Sequence, residues 1–246
     1  MVLLGTLVNA LAIMLGALLG TIVKNIPDHV KTTIMQAIGL AVIVLGIGMG
    51  LKSEQYVIVI GSLVVGGLLG EKWKLEDRLN QLGSWLESKV GGKGDGQIAK
   101  AFVTTTLIYV VGAMAILGAL DSGLRGDHSV LYTKAMLDGF SAIIFTSTLG
   151  IGVIFSAVPV LLYQGIIALF ATQIDKYIAQ GLMDMFIVEM TATGGLMILA
   201  IGLNLLGITK IRVANLLPSI IIVAILVMIV YYWQSILMAF SFFSAS

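Results

Sequence analysis

Two carboxylates stand where a carboxylate is costly. Asp138 lies in KAMLDGFSAIIFTSTLG from Lys134 and Glu189 in MFIVEMTATGGL from Met185, each about one helical turn inside an apolar run. An ionised side chain at the centre of a bilayer costs roughly 2.5–3.5 kcal/mol on insertion scales, so it is kept where it meets protein, water or a passing solute. Lys134 stands four residues before Asp138, the spacing of an ion pair on one helix face. That pair, or a helix cap ahead of Gly139, is the structural reading of Asp138; binding a solute or cation is the functional one. Glu189 has no basic residue within four positions. A protonated carboxyl bonded to a neighbouring helix competes there with a proton-coupled binding role.

Uncharged polar residues accompany both acids. Thr191 and Thr193 precede Gly194 and Gly195, a pattern that predicts local unwinding of the helix and free carbonyls for a cation or solute. Close packing is the alternative. Gln164 in PVLLYQG enters an apolar run near Pro159, and Gln36 sits at a similar depth in an earlier one. Asn9 lies about two turns into the first apolar stretch, on the face that carries Gly5, Gly16 and Gly20. Ser141, Thr146, Ser147 and Thr148 either line the same path or bond back to their own helix carbonyls. Seven residues therefore form the candidate site: Asp138, Glu189, Gln164, Asn9, Thr191, Thr193 and Gln36.

No enzyme is expected, because neither HExxH nor GxSxG occurs. Cysteine is absent, and the two histidines, His29 and His128, fall in loop-like stretches. No metal site and no cofactor are therefore expected. A net charge of +1 gives no basic patch for nucleic acid.

The elements that must hold these residues are membrane spans. The chain is 59% hydrophobic and 11% charged, less than half the usual charge of a soluble domain. Apolar runs near 20 residues recur, which makes it an all-α polytopic membrane protein in a lipid bilayer. Eight spans are read, at about 2–23, 33–51, 56–70, 98–120, 135–157, 160–178, 185–206 and 213–233, with Pro159 dividing the fifth from the sixth. Seven result if 135–178 is one span plus a re-entrant segment. Met1–Gly20 lacks a basic start and a cleavage site, so it reads as the first span. A loop with Pro27 follows it. Between 71 and 90 the character changes: Leu75, Leu79, Leu82 and Leu86 make one apolar face flanked by Trp73 and Trp85. That is an amphipathic helix on the membrane surface, followed by a glycine hinge at Gly91–Gly96.

Residues 39–50, GLAVIVLGIGMG, align with 195–206, GLMILAIGLNLL, at a constant offset of 156. The expectation is an inverted repeat of spans one to three and six to eight. The chain then divides into 1–71 as first repeat, 72–97 as surface helix and hinge, 98–158 as central spans and 159–246 as second repeat. Eight spans put ten lysines and arginines on one side and four, Lys52, Arg125, Lys134 and Lys176, on the other. The positive-inside rule places the ten in the cytoplasm and both termini outside.

GTLVNALAI from Gly5 with Gly16 and Gly20, KAMLDG from Lys134, LGIGV from Leu149 and FSAVPVLLYQG from Phe155 resemble the signatures of an uncharacterised bacterial membrane-protein family, domain of unknown function 554. The resemblance covers essentially the whole chain. It implies a multispanning inner-membrane protein, presumed to transport, with no agreed substrate. By resemblance Asn9, Asp138 and Gln164 are motif positions; Glu189 rests on physical grounds alone. The expected function is a proton- or cation-coupled carrier of a small solute or cation, with its site between the repeats. The competing readings are a scaffold or regulator without transport and a passive channel. Glycine-rich faces also allow a homodimer.

Overall fold

The computed structural model describes residues 1–22, 28–90 and 96–244, with side chains other than those of 28, 31, 82–84, 86–90, 113 and 234–244. Among these residues every regular element is a helix: α1 (Leu4–Ile22), α2 (Asp28–Gly50), α3 (Tyr56–Trp73), α4 (Leu75–Val90), α5 (Gln97–Val110), α6 (Ala113–Leu124), α7 (Ser129–Leu149), α8 (Ala157–Leu169), α9 (Ala171–Tyr177), α10 (Gln180–Leu205) and α11 (Ser219–Ser244). Short 3-10 helices, Ile151–Ser156 and Val213–Leu216, lead into α8 and α11. The loop with Pro27, Gly91–Asp95 of the hinge, and the Leu82 and Leu86 side chains lie outside the described residues.

Six helical stretches are long and apolar enough to cross a membrane, and the bent pair α5 and α6 makes seven. α7 has the length, 21 residues, but carries Lys134 and Asp138 and four hydroxyls in its second half. α10 is the central helix: 72% of its apolar window is buried, against 22% to 44% for the other stretches. Leucine, valine and isoleucine side chains cover the outer faces of α1, α2 and α3, as lipid contact demands.

Glycines set how closely the helices approach. A Cβ on Gly20 would stand 2.6 Å from the Ile143 carbonyl oxygen, and one on Gly16 would strike the Gly139 carbonyl, so α1 and α7 touch backbone to backbone and run parallel. Across α2 and α10 a Cβ on Gly46 would come 2.7 Å from the Gly195 oxygen, and one on Gly202 would come 2.9 Å from that of Gly39. Those helices are antiparallel. α3 meets the start of α11 likewise, with Gly66 on Ser219 and Gly70 on Asn215. Small residues are what permit such packing where the hydrophobic effect no longer drives helices together.

Several boundaries differ from the sequence reading. The sixth span, expected at 160–178, is an apolar stretch over Ile151–Leu169, and Ala171–Tyr177 forms the separate short helix α9. The fourth span is broken: α5 ends at Val110, Gly112 takes φ +145, and α6 leaves at 60° to α5. The break expected at Thr191–Gly195 does not form, and α10 is continuous through it. Gly194 instead admits Val111, and Gly195 admits Gly46 and Gly50. Finally, α7 is ended by Gly150, at φ +92, and not by Pro159. Pro159 sits in the first turn of α8, where its missing N–H has no helical partner to lose. The amphipathic helix is separate from α3, with Lys74 in the left-handed region between them. The junction of α3 and α4 is tied to the segment that leads into α11. Arg212 donates to Glu71, Asn215 Nδ2 bonds the other Glu71 oxygen, and the Ala214 N–H bonds Glu76.

Candidate functional site

α1, α7 and α8 bring one polar cluster together. Lys134 Nζ lies 2.9 Å from Asp138 Oδ2, with both side chains more than nine-tenths buried. Asn9 Nδ2 donates to Asp138 Oδ2 at 3.1 Å and to Gln164 Oε1 at 3.3 Å. Asn9 and Gln164 are fully buried, and each keeps one polar atom, Oδ1 and Nε2, without a partner. A pair of charges this deep repays its desolvation only if the remaining lone pairs and protons are bonded, and the two amides do part of that. Asn9 reaches Asp138 because glycines at 5, 16 and 20 let α1 lie flat on α7.

The cluster opens on a cavity of about 530 Å³ between α2, the α5–α6 break, α7 and α10. Asp138 and Lys134 form one wall with Ser141, whose Oγ lies 3.2 Å from the Tyr109 hydroxyl. Gly112 is at the break, and a Cβ there would meet nothing within 4 Å. Thr191 faces the cavity from α10, buried and with its hydroxyl unpartnered. Lys52 stands exposed on the turn after α2 and borders the same space.

Glu189 lies outside this lining. Its Oε2 accepts from Ser53 Oγ at 2.6 Å and its Oε1 from the backbone N–H groups of Glu54 and Gln55 at 3.0 and 2.9 Å. It therefore caps the start of α3 from another helix, a place where a carboxylate is favoured by the unsatisfied amides and the helix dipole. Thr193 is also apart from the cavity, its hydroxyl 3.4 Å from that of Ser62. Gln36 has an exposed side chain on α2 and does not border the cavity. Ser147 and Thr148 bond back to the Ile144 carbonyl.

Residue spacing gave no warning of Tyr109 or Lys52. Gly112 had a signal, a single glycine inside an apolar run, which is also the mark of ordinary packing. A second cavity, about 580 Å³, opens between α4, α5, α10 and the loop before α11, and Lys100, Thr104, Asn204 and Lys210 border it. Among the described residues no group of three His, Asp or Glu could hold a metal ion.

Apolar helices of spanning length around a buried ionic cluster define a polytopic helical membrane protein. Within that class the chain belongs to the family described as "Protein of unknown function (DUF554)", which matches residues 4–228. It is 35% identical over 232 residues to the "Uncharacterized membrane protein YdfK" of Bacillus subtilis (strain 168), covering 92% of this chain and 96% of that protein. It is 29% identical over 223 residues to the "Uncharacterized protein YqgA" of Escherichia coli (strain K12), covering 89% and 93%. No solved structure matches.

Proposed function

We propose that the protein is a secondary carrier of a small solute, loaded in the cavity beside Asp138 and coupled to a proton or cation through that carboxylate. The observation that carries this reading is the buried Lys134–Asp138 pair, held from behind by Asn9 and Gln164, bordering a cavity at a broken spanning helix. A merely structural pair would have no need of the void. Discontinuous helices beside polar sites are the recurring means by which carriers present backbone groups to a solute. In this reading Asp138, Thr191 and Lys134 meet solute or coupling ion, Asn9 and Gln164 position Asp138, and Glu189, Thr193 and Gln36 have structural roles.

The helix directions support eight crossings, with α5 and α6 as one. α1 and α7, first and fifth, are parallel; α2 and α10, second and seventh, are antiparallel, as are α3 and α11, third and eighth. The contacts Gly39 with Gly202 and Gly46 with Gly195 exchange with each other under the offset of 156, which supports an inverted repeat. Residues 1–71 and 159–246 would be its halves. The distribution of lysine and arginine supports a bacterial cytoplasmic membrane with both termini outside. The cavity beside Asp138 would then face outward and the larger one inward. Along α5 Thr104 borders the inner cavity and Ile108 the outer, one turn or ~6 Å apart, while along α10 the lining residues Ile201 and Thr191 are ~15 Å apart.

The test is flux in proteoliposomes across a panel of labelled amino acids, carboxylates and inorganic ions. Asp138→Asn should lower flux at least about tenfold, though it leaves Lys134 buried without its partner, at about 3–5 kcal/mol of stability. The double variant Lys134→Met, Asp138→Leu removes both charges and should fold yet carry nothing. Wild-type flux in that double variant, or no flux of any solute in the parent, overturns the carrier reading in favour of a scaffold.

A further inference from the structure

We infer that the solute is a small organic anion, whose carboxylate seats against the first turn of α6 and the Thr191 hydroxyl. This rests on the carrier reading above and adds the substrate class. Helix α6 begins at Ala113 after Gly112, and its cap residue has no side chain to bond the first amides. The Ala115 N–H turns back to the Gly112 carbonyl at 3.1 Å, which leaves the amides of Ala113 and Met114 as the ones a helix start cannot pair within itself. Gly112, Met114 and Ala115 all border the cavity, so the turn that carries these amides forms part of its wall. Gly112 is required by its backbone and not by crowding, since a Cβ there would meet nothing within 4 Å. Its φ of +145 is poorly open to other residues.

A helix start alone is not a binding site, but Thr191 supplies a separate observation. Its hydroxyl is buried with no bond to any protein group, and of the buried hydroxyls in that state (Thr6, Thr106, Thr146, Thr191 and Ser219) it is the one that borders this cavity. A buried hydroxyl left unpaired costs about as much as a lost hydrogen bond, which a bound solute would restore.

The sign follows from charge. The end of α5 and the start of α6 meet at the break with opposite partial charges of about one half, which offset each other. The formal charges decide, and they are Lys52 and Lys134 against Asp138 alone. Lys134 is held by Asp138, whereas Lys52 makes no ion pair among the described residues. Glu189 lies two residues from Thr191, but its carboxylate is turned into the α3 start and bonded there on both oxygens. A cationic solute would meet the excess lysine, while an anion would meet Lys52 at the mouth and the α6 amides within.

Purified protein in nanodiscs is titrated with acetate, lactate and succinate, each beside its neutral amide and the amine of matching size, by thermal shift and calorimetry. At least one carboxylate should raise the melting temperature and bind, with its amide and amine weaker by tenfold or more. Thr191→Val should weaken that carboxylate roughly tenfold and Thr191→Ser should restore it, as expected for one bond to a charged group. Lys52→Gln should weaken it less, because the lysine is exposed. Tighter binding of the amines or amides overturns the anion inference and leaves the carrier reading standing. Unaltered carboxylate affinity in Thr191→Val, or no binding by any carboxylate, overturns it as well. The flux assay on Asp138 variants judges the carrier reading separately.

Discussion

A carboxylate inside a membrane protein can be satisfied by the backbone or by another charge, and the two acids here take one course each. Glu189 has three donors on two oxygens, all from the turn that starts α3. Asp138 has an ammonium and an amide, on the edge of a cavity. The consequence for Glu189→Gln is a loss of stability and not of transport. The glutamine presents an amide NH2 where donors already point, so at least one charge-assisted bond goes, about 1.5–3 kcal/mol. Thermal unfolding should fall while flux per folded molecule stays within about twofold. A loss of flux at unchanged stability would return Glu189 to the mechanism. The spacing of Lys134 and Asp138 was open to reading in the chain, since four residues on a helix make neighbours. The company Asp138 keeps was not. Asn9 and Gln164 stand 129 and 26 residues away in sequence; contact between α1 and α7 brings in the first, and the packing of α8 on α1 the second.

At the scale of elements, glycine is the residue that decides which helices meet. Gly46 and Gly48 are two residues apart on α2, yet they face opposite environments. A Cβ at 46 would come 2.5 Å from the Leu199 nitrogen and 2.7 Å from the Gly195 oxygen, both backbone, while one at 48 would meet nothing within 4 Å. Gly46→Ala must push α10 from α2 and should cost about 2–3 kcal/mol, of the order that overpacking costs. Gly48→Ala should leave packing alone and add about 0.5–1 kcal/mol through helix propensity. Thermal unfolding of the two variants in one detergent checks the pair, and equal shifts would deny the α2–α10 contact. The number and spacing of glycines announced thin, close helices from sequence, and the spans themselves followed from hydropathy. Where the helix breaks did not follow. Two glycines and two threonines in α10 look more breakable than one glycine between α5 and α6. The α10 glycines are consumed by contacts with Val111 and Gly46, which hold that stretch of the helix against its neighbours.

For the whole molecule the question is whether the two cavities are successive states of one route. They lie against the same two helices, α5 and α10, and open at opposite ends of them. One turn of α5 between Thr104 and Ile108 stands in the way, buried by Thr105 and Leu107 against the central core. Under the carrier reading proposed above, a small rotation of one half of the proposed repeat against the other would move that turn without any span leaving the membrane. The absence of cysteine makes this measurable, because a single introduced thiol is the only target for a charged, membrane-impermeant maleimide. With both termini outside, Lys52→Cys should label in intact cells and Lys210→Cys only after the membrane is opened. The opposite pattern would invert the orientation and exchange the roles of the cavities. Given the expected orientation, Ser141→Cys beside Asp138 and Thr104→Cys in the inner cavity should respond in opposite senses to saturating solute. Labelling at 141 should fall severalfold as that at 104 rises, because opening one side requires closing the other. Labelling that falls at 141 and does not change at 104 would mean that the outer cavity binds without handing anything inward, which is the behaviour of a receptor or regulator and not of a carrier.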